Sequence, residues 1–230
     1  MNILLTMFTN PFAILSPYTD RLAVSWLEKG DRIHGDEDIL RCVGGAALAS
    51  LKQMHGGAAI VVREPTQRVI EADGMMTDAR GLLLSIRAAD CQTFVVYAPE
   101  RSIVGMMHVG WRCLKAGMIP SFFRTLKEHF SIDGSDVVVG AGPSLCTRCA
   151  EFTDPRRELA DTEPLIIDGR CADLQGIADA QLRRAGVRPD RFERMAGCTR
   201  CDPHRFWTYR GGDRESVMEG WTNILCAKLL

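Results

Sequence analysis

Ala89-Asp90-Cys91-Gln92-Thr93-Phe94-Val95-Val96-Tyr97-Ala98-Pro99-Glu100-Arg101-Ser102-Ile103-Val104-Gly105-Met106-Met107-His108-Val109-Gly110-Trp111-Arg112 is the stretch on which the fold turns. Its two short apolar runs, 93–97 and 103–107, are rich in β-branched or bulky residues and read as strands. Ala98-Pro99-Glu100-Arg101 supplies turn chemistry between them. Working outward, 58–62 and 82–86 read as two earlier strands, with Arg80-Gly81 as a turn before the second. The continuous apolar run at 137–139 suits a strand buried on both faces. Leu174, Ile177, Ala178, Leu182 and Ala185 recur at helical spacing, with Asp173 as N-cap and Gly186 just past the end. Phe122, Phe123, Leu126 and Phe130 predict a second helix, which Pro120 either kinks or starts. Two late strands are expected at 206–209 and 223–229. The sum is an α+β fold, a single domain over residues 1–230 with a mixed β-sheet core flanked by helices.

Composition narrows the function classes. The chain has 230 residues, 46% hydrophobic and 25% charged, which is the globular average and rules out disorder. With 28 Lys+Arg against 29 Asp+Glu the net charge is −1, and a nucleic-acid binder ordinarily needs a basic excess. Arg156-Arg157 and Arg183-Arg184 read as solvated faces. No apolar run approaches the ~20 residues that span a bilayer. The N-terminal stretch has no basic residue before its apolar part, and Pro11 interrupts it, so a cytoplasmic protein is expected. Nine cysteines, an odd number, point to metal ligands, a nucleophile or small buried hydrophobes rather than a disulfide framework.

Three segments end an apolar run with a soft or borderline metal ligand: Lys52-Gln53-Met54-His55-Gly56-Gly57, Ala88-Ala89-Asp90-Cys91-Gln92 and Met107-His108-Val109-Gly110-Trp111-Arg112. Neighbouring strand ends can bring such side chains together. Two imidazoles and one thiolate leave one tetrahedral position for water or substrate, as in catalytic zinc sites. Taken singly, each His is as readily a packing residue and Cys91 a small buried hydrophobe. Cys146/Cys149 and Cys198/Cys201 have zinc-knuckle spacing and together make a possible second, structural site. The 48 residues between the pairs are far more than a usual zinc ribbon separates.

Gln53-Met54-His55-Gly56, Ala72-Asp73-Gly74-Met75-Met76-Thr77, Ala89-Asp90-Cys91 and His108-Val109-Gly110-Trp111-Arg112 resemble the signature blocks of the YfiH-like laccase-domain family. So do Gly142-Pro143-Ser144-Leu145 with Cys149, Cys198-Thr199, and Pro203-His204-Arg205-Phe206-Trp207-Thr208-Tyr209-Arg210. The resemblance runs in order from about Gln53 to Arg210, and several independent motifs in sequence are far more specific than one. It implies a YfiH-like fold and zinc ligands at His55, Cys91 and His108, with copper binding by substitution. Catalysis is expected from Cys91, His108, Asp90 and Arg112. Asp73 and Asp90 would orient an imidazole, and Arg112 would either clamp phosphate or form a structural ion pair. The implied activity is phosphorolysis of adenosine, inosine or methylthioadenosine, with adenosine deamination, by a monomer or weak homodimer whose partners are small-molecule nucleoside and phosphate.

The chain departs from the family pattern in lacking an Asn-Arg pair upstream of His55 and an Arg in Ser216-Val217-Met218-Glu219-Gly220-Trp221. Three other readings use the same residues. One is copper-dependent phenol oxidation with Met54, Met106 or Met107 as an axial ligand. The second is a Cys91–His108 hydrolase editing cell-wall precursors. The third is a non-catalytic metal-binding homologue.

Overall fold

Along the strand Gln92–Ala98, Phe94 and Val96 join one apolar cluster while Val95 and Tyr97 join another, and all four are buried. A strand apolar on both faces must lie inside a stack of layers, and it does. The computed structural model describes residues 10–162, 166–167 and 169–230; the part of the N-terminal stretch up to residue 9 lies outside them. In chain order the strands are β1 (Leu22–Leu27), β2 (Leu48–Lys52), β3 (Ala59–Val61), β4 (Thr66–Glu71), β5 (Gly74–Thr77), β6 (Leu83–Ala88) and β7 (Gln92–Ala98). There follow β8 (Ile103–Val109), β9 (Val138–Ala141), β10 (Ile166–Ile167), β11 (Cys171–Ala172), β12 (Phe192–Arg194) and β13 (Asn223–Leu229). The helices are α1 (Asp36–Val43), α2 (Trp111–Lys115), α3 (Met118–Phe130), α4 (Pro155–Glu158), α5 (Leu174–Arg184) and α6 (Arg214–Glu219).

Two mixed sheets stack face to face. One has the order β1-β13-β6-β2-β4 and the other β12-β9-β7-β8-β5-β3, with β10 and β11 a separate small pair. Between them lie Val24, Leu84 and Ile86 from the first sheet and Met75, Val95, Tyr97 and Met106 from the second. The outer face of the second sheet packs Phe94, Val96 and Met107 against Phe122 and Leu126 of α3 and Ile177 and Leu182 of α5. The outer face of the first packs Leu48, Leu83 and Ile224 against Ile39 and Val43 of α1. The expected α+β class, a mixed-sheet core flanked by helices, is the one found.

Local signals explain several elements. The Asp173 carboxylate accepts from the Gly176 amide at 2.9 Å, and Gly186 adopts φ +96° beyond the end of α5. Pro120 falls in the first turn of α3, where no helical N–H is lost. One expectation fails: residues 206–209 form no strand. Their backbone is taken by side chains instead. The Trp207 amide donates to Asn223 Oδ1 at 2.9 Å, Asn223 Nδ2 donates to the Trp207 carbonyl at 2.8 Å, and the Thr208 amide donates to Asp213 Oδ2 at 3.1 Å. Phe206 is fully buried against Trp26, so its apolarity reflects packing of a loop. No helix among the described residues is long and apolar enough to cross a membrane.

Candidate functional site

The register of the second sheet assembles the site. β7 and β8 are antiparallel with Gln92 opposite Val109 and Thr93 opposite His108, so Cys91, one residue before β7, sits beside His108 near the end of β8. β5 flanks β8 on the other side with Gly74 opposite Met107, which sets Asp73 against His108. His55 arrives from the loop between β2 and β3 in a left-handed conformation, φ +59°. The ligand atoms of His55, Cys91 and His108 all lie within 4.8 Å of one another. The two imidazoles meet edge to face, centroids 4.8 Å apart.

Asp73 holds this arrangement. It is fully buried, and its carboxylate accepts from the amides of Met54 (3.2 Å), His55 (3.0 Å) and Gly56 (2.7 Å). The same carboxylate binds His108 Nδ1 at 2.8 Å, which leaves Nε2 as the nitrogen able to face a metal. Burial works to raise the Asp73 pKa, but the bond to His108 and the backbone amides outweigh it and keep the carboxyl below its ordinary value. Burial likewise pushes the Cys91 thiol up, and the His108 and His55 imidazoles overcome this to bring it down to about 6. His108 moves the opposite way: burial would lower it, and Cys91 and Asp73 raise it well above the ordinary value. A Cβ on Gly110 would fall 2.7 Å from Cys91 Sγ, so the thiol occupies space that only glycine leaves.

The three donors open into a cavity of about 490 Å³, a size that suits a small ligand. Arg112 is exposed in its lining, its guanidinium 4.2 Å over the Trp111 ring, and no carboxylate pairs with it among the described residues. Among the described residues, then, Arg112 forms no structural ion pair. Arg87 also lines the cavity but is bound to Asp36 at 3.0 Å. Arg210 donates to the Glu151 carbonyl at 2.6 Å, and Tyr209 and Met218 stand exposed at the cavity's edge. The Asp90 carboxylate accepts from Thr199 Oγ1 (2.7 Å), Thr208 Oγ1 (2.6 Å) and the Arg210 amide (2.7 Å). It orients no imidazole; it anchors the 199–210 loop. Cys146, Cys149, Cys198 and Cys201 form a separate group whose sulfurs also lie within 4.8 Å.

Sequence reasoning did not single out Gly110, the Thr199–Thr208 pair or the exposed Tyr209 and Met218. Gly110 had a signal, since it follows a ligand in a five-residue motif and opens α2. The others depend on a loop whose path sequence does not reveal.

The family model described as multi-copper polyphenol oxidoreductase laccase matches residues 33–220. The chain belongs to that family. It is similar to a purine nucleoside phosphorylase of Streptomyces coelicolor, 31% identical over 73% of this chain and 71% of that one. Another purine nucleoside phosphorylase, YlmD of Geobacillus stearothermophilus, is 30% identical over 60% of this chain and 54% of its own. A human purine nucleoside phosphorylase is 26% identical over 66% of this chain, which spans only 38% of it. The crystal structure of YlmD from Geobacillus stearothermophilus superposes with a TM-score of 0.75 at 20% identity, covering 95% of this chain and 93% of that chain. That of Bacillus licheniformis YfiH gives 0.68 at 21%, covering 80% and 74%. The two superpositions establish the fold of this laccase-family chain.

Proposed function

We propose that the chain is a zinc-dependent purine nucleoside phosphorylase that accepts adenosine, inosine and methylthioadenosine and also deaminates adenosine. One observation carries this reading: His55, Cys91 and His108 open on a cavity that also presents Arg112, which no carboxylate of the described residues pairs with. Two imidazoles and a thiolate with one position left over match a catalytic zinc site, and His108 has its second nitrogen already committed to Asp73. When bound, zinc supplies a Lewis acid with one open position. The names of the curated relatives support the same substrate class.

The chain's own residues would do the rest. The Arg112 fork, steadied on Trp111, pairs with phosphate through two parallel hydrogen bonds. The exposed ring of Tyr209 offers a face for the purine. Phosphorolysis forms a bond from phosphate oxygen to the anomeric carbon and breaks the glycosidic C–N bond, whose electron pair leaves with the base. Positive charge grows on the ribose in that step, so a phosphate held by Arg112 serves both as nucleophile and as counter-charge.

Copper oxidation of phenols is less well supported. Among the described residues no metal-binding group contains more than two histidines, too few for a multinuclear oxygen-reducing cluster. Met106 and Met107 are buried in two different cores. The test is base release from inosine with and without phosphate, ammonia release from adenosine, oxidation of a phenol and hydrolysis of an amide, in zinc-loaded, copper-loaded and metal-stripped protein, each with oxygen excluded and with oxygen admitted. Phosphate-dependent base release with zinc supports the reading. Turnover only with copper and oxygen overturns it, as does amide hydrolysis by the stripped protein with no action on nucleosides.

A further inference from the structure

Cys146, Cys149, Cys198 and Cys201 take no part in the site described above. Their sulfurs lie within 4.8 Å of one another, with Cys149 to Cys201 at 3.5 Å and Cys146 to Cys201 at 3.9 Å. Four thiolates around zinc, at bonds of about 2.3 Å, place their sulfurs about 3.8 Å apart by tetrahedral geometry. A disulfide would need about 2.05 Å, and all four cysteines are free.

The topology explains how pairs 48 residues apart in sequence meet. β9 and β12 are parallel neighbours, with Val139 opposite Phe192 and Ala141 opposite Arg194. The pairing continues past both strands. The Met195 amide donates to the Ala141 carbonyl at 2.9 Å, Ser144 and Cys198 form an isolated parallel bridge, and the Thr199 amide donates to the Ser144 carbonyl at 3.2 Å. Each Cys-x-x-Cys then turns tightly, the Cys149 amide donating to the Cys146 carbonyl at 2.9 Å and the Asp202 amide to the Cys198 carbonyl at 3.1 Å. The Cys146 amide also points at Cys198 Sγ, 3.2 Å away, as a donor toward a thiolate would.

We infer that these four cysteines form a second, closed zinc site that ties the loop after β9 to the loop after β12. Four protein sulfurs leave no open position, so the role is structural. The tied segment includes Thr199 and leads to Thr208 and Arg210, the three residues that hold Asp90 next to Cys91. The tie therefore fixes one wall of the cavity.

The experiment is zinc analysis of the full chain purified under reducing, anaerobic conditions, followed by exchange with cobalt(II). Wild type should carry about two zinc ions per chain, one at each kind of donor set. A His55→Ala/Cys91→Ser/His108→Ala triple variant should keep about one, and its cobalt form should show the intense sulfur-to-metal charge transfer of a tetrathiolate. A Cys146→Ser/Cys201→Ser double variant should lose that signature and keep about one zinc, at the three-ligand site. A Cys201→His variant, which keeps four ligands as a Cys₃His set, should keep the second zinc with a shifted cobalt spectrum. A folded triple variant without metal, or with its four cysteines oxidised to disulfides, overturns the inference, and iron in place of zinc overturns the choice of metal. The triple variant decides the matter even if the double variant fails to fold. Nucleoside assays do not enter, so the outcome stands apart from the proposed activity.

Discussion

The His55–Cys91–His108 group and the four-cysteine group, each able to hold a metal ion, use similar residues in opposite surroundings. Cys91 and His108 meet at the ends of the buried strands β7 and β8, His55 joins them from a loop, and a single acid, Asp73, gathers one imidazole and three backbone amides behind them. The four cysteines stand on turns outside the ladders, Cys201 exposed, with one another as their nearest partners. The first group faces a cavity; the second encloses itself. Donor number and what stands behind the donors, rather than residue type, separate a place for chemistry from a place for a clasp.

The sharpest way to break this contrast is Asp73→Asn. Three backbone amides and the buried His108 imidazole would then compete for one carbonyl, at about 1–3 kcal/mol for a buried group left without a partner. Metal affinity at the three-ligand site should fall roughly 10–100-fold, measured by chelator competition, with a clear drop in Tm. Zinc at the cysteine group should be untouched, and loss at both groups would mean the two are not independent. Next in size is Gly110→Ala, whose methyl group would meet Cys91 Sγ at 2.7 Å. A displacement of about 1 Å at a reacting centre can cost on the order of 10²-fold in rate, so activity should collapse while the fold and the cysteine group persist.

Arg112→Lys probes the cavity without touching a metal donor. The charge stays and the bidentate fork goes, so the KM for phosphate should rise about tenfold. Adenosine deamination, which uses no phosphate, should change little; an equal loss in both would assign Arg112 to holding the cavity's shape. The smallest effect is in thiol chemistry. In metal-free protein Cys91, held at about 6, should react with a disulfide reagent at a rate that climbs through that pH and is flat above it. Replacing His108 by Gln removes the larger of the two imidazole effects that lower the pKa and should move the climb upward. Near pH 7 the two rates should differ only by about a few-fold, because a more acidic thiol is also a weaker nucleophile.

Much of the second sheet was legible in the sequence, because β7, β8 and β9 carry apolar runs on both faces. Other strands were not. β5 reads Gly-Met-Met-Thr, poor in β-formers, and is a strand because its neighbours demand one. β4, Thr66–Glu71, is polar and largely exposed at a sheet edge, so no burial pattern marks it. The run 206–209 misled for the reverse reason, its buried Phe206 sitting in a loop fed by Asn223. The three donors were legible through their motifs. The contact of Asp73 with an imidazole was legible too, whereas its hold on three backbone amides was not, since that depends on the left-handed turn at His55. The cysteine group looked too widely spaced until the parallel pairing of β9 with β12 brought its halves together.

The loop at 206–209 has a consequence for variation. Its path depends on one buried side chain, Asn223, and on Asp90 and Asp213, while His55, Cys91 and His108 are placed by the β2–β3 loop, the start of β7 and the end of β8. Residues such as Tyr209 and Met218, exposed at the rim, can be exchanged without moving the donors. If the proposed activity holds, substrate preference can change at the rim while the geometry of His55, Cys91 and His108 stays as it is.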